Sequence, residues 1–202
     1  MRTIGWWCAM MWTALWAQDT VEHFTLNGHD YTVLTERYDE YESKGRVAKF
    51  YRDEPNYDLT YLFAVTLEEK TGGCGERSIE EGAYRIEGDT ITVYTRWERE
   101  GKAYIAPKGY RVRVLRFGCD GNVTQTQGRL YVETARREYA DEGMRYLDGG
   151  ADTPQKQAAL ARYIADAERR FHARFVTDTK AREALRKEVF EALQQKVQQR
   201  WR

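Results

Sequence analysis

The sequence predicts a mostly β protein with an α-helical tail: an antiparallel meander of eight to nine strands that closes into a small barrel, followed by an amphipathic helical hairpin. Three observations carry that expectation. From about Glu22 to Tyr139 apolar and polar residues alternate with period two. Glycine-containing turn signals cut this region into short runs with no helical pattern between them. Past Gly149 and Gly150 the apolar residues recur instead at spacings of three and four.

The clearest strand pair is GAYRIEGDTITVYTRW. A two-residue turn at Gly88 and Asp89 pairs Glu87 with Thr90, Ile86 with Ile91, Arg85 with Thr92 and Tyr84 with Val93, so that apolar faces apolar along the hairpin. The inward set is then Tyr84, Ile86, Ile91, Val93 and Trp97. In GYRVRVLRF, Tyr110, Val112 and Val114 share one face and Arg111 and Arg113 the other, and GRLYVET continues the pattern with Leu130 and Val132. Further strands are expected at HFTL before the Asn27-Gly28 turn, and at DYTVLTE, RVAKFY, DLTYLFAVTLEE and KAYIA. Without long crossovers, consecutive strands must run antiparallel. A meander of this size that is polar on one face closes most easily into a barrel, with a two-sheet sandwich as the alternative.

The meander with its glycine-rich turns resembles lipocalin-like barrels; no functional residue is carried over from that resemblance. Tyr61, Phe63, Tyr84, Trp97 and Tyr110 fall on the expected inner faces. They are the candidate ligand-binding residues, because an aromatic interior can hold an apolar small molecule. The same rings would equally serve as the packed core of a small barrel.

In the tail, Pro154 suits a first helical turn after Asp152 or Thr153, and Leu160, Tyr163, Ile164, Ala167, Phe171 and Phe175 form one stripe. VTDTK interrupts it, after which Leu185, Val189, Leu193, Val197 and Trp201 repeat at fours. A stripe of this kind must be covered by its neighbour helix, by the barrel or by another molecule. Phe171, Phe175, Leu193, Val197 and Trp201 are therefore the candidate residues for an unknown protein partner or for self-association.

The chain opens MRTIGWWCAMMWTALWAQDT: Arg2, an apolar run of 14 residues from Ile4 to Ala17, then polar residues. That order is expected of a cleaved secretory signal peptide at 1–17, and the run is too short for a permanent membrane span. The remaining chain divides into a β-barrel domain at 18–150 and a helical segment at 151–202, and is expected to be periplasmic or secreted. Removing the leader would leave two cysteines, Cys74 in TGGCGE and Cys119 in FGCDGN, for which an oxidising compartment favours a disulfide.

Charge is uneven. Residues 18–150 carry 19 basic against 25 acidic side chains and residues 151–202 carry 12 against 7, so the basic tail is expected to pack on the acidic body or contact an anionic partner. No nucleic-acid motif accompanies that charge. Ser43 and Ser78 are the only serines, no GxSxG or phosphate-cradling glycine pattern occurs, and no HExxH or CxxC is present. His23 and His29 flank a tight turn, and the carboxylates of DEYES, EEK and IEEG lie in turns, where they solvate. The expectation is a non-enzymatic exported protein without cofactor or metal, acting through a protein partner, with carriage of an apolar small molecule as the alternative.

Overall fold

The computed structural model describes residues 20–56, 58–73, 75–101, 106–133, 137–138, 145–146 and 154–199. The leader at 1–17, Cys74, Trp201 and most of KAYIA lie outside these residues. Eight long strands follow one another: β1 (Thr20–Leu26), β2 (His29–Asp39), β3 (Ser43–Asp53), β4 (Leu59–Gly73), β5 (Glu76–Glu87), β6 (Thr90–Glu100), β7 (Lys108–Phe117) and β8 (Val123–Glu133). Two short strands, β9 (Arg137–Glu138) and β10 (Arg145–Tyr146), pair with each other. Helix α1 (Pro154–Phe171), strand β11 (Arg174–Phe175) and helix α2 (Thr179–Gln199) complete the order.

Strands β1 to β8 form an antiparallel meander, each paired with the next, and β11 adds to β8 in parallel. Turn chemistry sets the registers. Asn27 and Gly28 both take positive φ (51° and 80°), the mirror-image turn that matches strand twist, and Leu26 pairs with His29. Gly88 at φ 57° opens the β5–β6 turn, and the ladder runs Glu87↔Thr90, Ile86↔Ile91, Arg85↔Thr92 and Tyr84↔Val93, the predicted register.

The sheet rolls without closing. Laid flat, β2 and β7 would be separated by five strand spacings of about 4.8 Å each, yet the Tyr31 and Phe117 ring centroids are 4.7 Å apart. Phe24 meets Phe117 at 5.8 Å and Phe50 meets Tyr84 at 5.1 Å. The core inside the roll comprises Tyr31, Val33, Ala48, Phe50, Val65 and Leu67 from β2–β4 against Ile91, Val93, Leu115 and Phe117 from β6 and β7. No β1–β8 pairing joins the ends among the described residues, so the expected barrel is an open roll. At one rim Asn27 Nδ2 donates to the Phe117 carbonyl (3.1 Å), His29 Nε2 to the Cys119 carbonyl (3.0 Å) and Arg52 Nη1 to the Asp120 carbonyl (3.2 Å), clasping the β7–β8 turn.

The tail is not a hairpin packed on itself. Ala167, Ala173, Tyr163 and Phe171 pack on Trp97, Leu130 and Val132, on the inner face of the sheet. Leu185, Val189, Phe190 and Leu193 pack on Tyr94, Tyr110, Val112 and Tyr131, on the opposite face. Between them the chain rounds the β8 edge: His172 ends α1 with φ 44°, Val176 N donates to the Leu130 carbonyl (2.7 Å), and Asp178 caps α2 by accepting from Ala181 N (2.9 Å). The basic tail thus docks on the body, with Arg129–Glu188 (2.8 Å) and Arg186–Glu133 (3.8 Å) pairing across the contact.

Candidate ligand-binding cavity

The ladder between β4 and β5 covers only their turn-proximal halves, from Glu68↔Glu81 to Gly73↔Glu76. A bulge beside Leu67 in β4, where the partner of Arg46 is Glu68 and that of Val47 is Thr66, turns the strand away from β5. Where the strands part lies a cavity of about 540 Å³. Leu67, Ala83, Tyr84, Ile86 and Tyr94 supply most of its apolar wall, Thr20, Glu22, Thr35, Arg46 and Arg85 its polar wall, and Ala192 and Gln195 of α2 its roof. Gln195 Oε1 accepts from Arg85 Nη2 at 2.8 Å, tying roof to wall.

Two charged groups of the wall are already engaged. The Tyr84 hydroxyl donates to the Glu22 carboxylate; burial first, and then that carboxylate, pushes the phenol up to about 12. Arg85 pairs with Glu87 at 3.4 Å. Arg46 differs: its Nε is buried and makes no hydrogen bond. Arg46 also lines a second, more open cleft of about 450 Å³ with Arg37, Tyr38, Asp39, Lys44, Gly45, Glu68 and Lys70.

A second polar cluster lies on the inner face beneath α1. Glu80, Trp97 and Gly109 form one cross-strand row, and Arg111 and Arg113 follow on β7. The Arg111 side chain is 9% exposed; its guanidinium stands 3.8 Å from the Phe171 ring centroid and 4.0 Å from Glu80 Oε1. Burial, then repulsion from Arg113, lowers Arg111 to about 10, while burial holds the Glu80 carboxyl above its ordinary range despite Arg111. Desolvation therefore outweighs the attraction within this pair. The Nε atoms of Arg111 and Arg113 and the Trp97 Nε1 are buried without hydrogen bonds.

The five candidate ligand-binding aromatics do not line one interior. Tyr84 borders the cavity. Phe63 stacks on Phe50 at 4.4 Å against the inner core. Tyr61 is 56% exposed and meets Tyr51 outside the roll, because a bulge between Phe50↔Phe63 and Tyr51↔Tyr61 skips Leu62 and reverses the alternation. Trp97 lies on the inner face under α1. Tyr110 is fully buried on the opposite face under α2, stacked on Tyr131.

Among the candidate partner-binding residues, Phe171 is sandwiched by Arg111 and Arg170, Phe175 packs beside Tyr131, and Leu193 packs on the core beneath α2. These three are half-buried, packed against the protein's own sheet and arginines. The side chain of Val197 and all of Trp201 lie outside the described residues.

Cys119 carries an exposed free thiol. Cys74, the other half of the expected Cys74–Cys119 bridge, lies outside the described residues. His23 Nδ1 donates to Thr32 Oγ1 at 2.9 Å, Thr32 in turn donating to Asp53, and His29 holds the β7–β8 turn.

Of the residues lining the cavity, Tyr84 is the one the sequence offered as ligand-binding; Arg46, Thr35 and the α2 roof are among those that sequence reasoning missed. A signal existed for Arg46: it shares the alternation of Ala48 and Phe50 in RVAKFY, which places a cation in line with a buried face. The fold and cavity define an open antiparallel roll with helices on both faces. No protein-family model, curated protein or solved structure matches this chain. Among the described residues no helix is long and apolar enough to cross a membrane.

Proposed function

We propose that this chain is a non-enzymatic binding protein that holds a small molecule in the cavity between β4, β5 and α2, and that it works outside the cytoplasm. The observation that carries this reading is the 540 Å³ volume at the β4–β5 divergence. Ligand sites span about 300–1,000 Å³, and this cavity falls within that range with a wall shared about equally between apolar and polar residues. The roof belongs to a helix whose docking uses Leu185 and Val189, while Ala192 and Gln195 extend over the cavity. The export component rests on the leader-like opening alone.

A role through a protein partner stands second, since Phe171, Phe175 and Leu193, which would have carried it, are used internally. The test is a thermal-shift and native mass spectrometry screen of apolar and amphipathic small molecules on the full chain and on Ala192→Phe, which fills the cavity from its roof. The expected result is a one-to-one complex with the native chain that Ala192→Phe abolishes while its unfolding temperature holds or rises. Equal binding by Ala192→Phe, or a screen with no stoichiometric binder, refutes the proposal.

A further inference from the structure

We infer that the molecule held in this cavity is an amphiphilic anion, with its apolar part under α2 and its charged head on Arg46; this rests on the cavity reading above. Three observations converge on Arg46. Its buried Nε makes no hydrogen bond, and buried donors in folded proteins nearly always find an acceptor. It stands in one cross-strand row with Arg37 of β2 and Glu68 of β4, two cations to one carboxylate. It also borders both the cavity and the open cleft, so the two volumes share one wall.

The electrostatics of the two volumes differ in the sense an amphiphile requires. Around the cleft, Arg37, Lys44, Arg46 and Lys70 face Asp39 and Glu68, an excess of two positive charges. Glu68 is occupied by Lys70 at 2.8 Å. Inside the cavity, Glu22 is held by Tyr84 and Arg85 by Glu87 and Gln195, which leaves Arg46 as the charged wall residue with an unbonded buried atom. Beyond it Leu67, Ala83, Ile86, Tyr94 and Ala192 form the apolar part of a wall that also carries Thr20, Glu22, Thr35, Arg85 and Gln195. A carboxylate or phosphate at Arg46 would accept from Nε at the boundary, with an alkyl or aryl portion extending toward Ala192. A planar guanidinium suits either head, because it offers fixed donors to two acceptor oxygens.

The experiment is calorimetric titration of the full chain with decanoate, decanol and decyltrimethylammonium, all below micelle formation, and with acetate and inorganic phosphate as heads without tails. Decanoate is expected to bind about tenfold or more tightly than decanol, the ratio a charge-assisted hydrogen bond supplies, and the cationic amphiphile most weakly. Arg46→Gln should bring decanoate down to the decanol level and leave decanol unchanged, with Arg46→Lys between. Equal binding of decanoate and decanol by the native chain overturns the anion inference without the need of any variant, and leaves the cavity reading standing. Acetate or phosphate binding as tightly as decanoate, and unaffected by Ala192→Phe, overturns it in favour of a head-only anion site. Failure of every decyl compound refutes the amphiphile; if the wider screen is also empty, the cavity reading falls with it.

Discussion

Truncating Leu185 tests whether α2 is held by the contact that forms the cavity roof. Leu185 is 0% exposed and packs with Val189 on Tyr94, Tyr110 and Val112. Leu185→Ala removes three carbons from water-free surroundings, worth about 2.4 kcal/mol at roughly 0.8 kcal/mol per buried methylene. Tyr110 is ringed by Tyr131 and Phe190, with Arg186 over its face, so the surroundings can collapse only in part. The residual hole brings the cost to about 3–4 kcal/mol, within the usual Leu→Ala range. For a chain of this length that lowers the midpoint of thermal unfolding by about 6–16 °C. Urea unfolding followed by far-ultraviolet circular dichroism measures the free energy, and hydrogen exchange over 179–199 shows whether the helix unfolds with the sheet. Glu191→Ala, on an exposed position of the same helix, should stay within about 0.5 kcal/mol. A Leu185→Ala loss below about 1 kcal/mol, or selective loss of α2 protection with the sheet unchanged, would refute the account of α2 as part of one cooperative core.

Three further outcomes follow from the inner face and the rims. Gly109→Ala places a Cβ against the Trp97 indole, on which α1 packs, and should cost about 1–3 kcal/mol in urea unfolding by overpacking; a neutral result would show the indole free to move. Burial holds Glu80 above 4.5, with Arg111 pulling the other way, so Arg111→Met should raise its titration midpoint further in carboxyl carbon NMR, and an unchanged or lower midpoint contradicts the assigned cause. The native state holds this proton more tightly than the unfolded chain does, so the group's stabilising contribution is full in acid and is lost as pH rises through its folded pKa. Cys119 should be alkylated without prior reduction, and Cys119→Ser should move stability by less than about 0.5 kcal/mol; failure to label it until a reductant is added would contradict the free thiol.

Local chemistry was legible in the chain wherever two neighbouring strands and a turn settle the matter. The β5–β6 register follows from Gly88 and Asp89, and Val93 and Trp97 share the face that alternation assigns them. Tyr61 shows the limit: its assignment assumed unbroken alternation along β4, and bulges at Leu62 and Leu67 shift it. A bulge costs one unpaired residue and leaves almost no compositional mark. For the candidate site, Tyr84 was legible as an inward aromatic, whereas the cavity itself arises from the parting of β4 and β5 and from the path of α2.

By itself the sequence determined a meander of antiparallel strands followed by two amphipathic helices, because periodicity and turn residues act over a few positions. Only the tertiary structure decided what covers each face. Alternation separates Tyr110 and Val112 from Arg111 and Arg113 but does not say which pair meets the core. Here α1 brings Phe171 to the arginine side and α2 brings Leu185 and Val189 to the tyrosine side, so both faces of β7 are buried. The same rounding of the β8 edge separates the two helices and carries Ala192 over the cavity. The physical reason is that burial is a property of pairs of surfaces, and the second surface in each pair comes from more than fifty residues further along the chain.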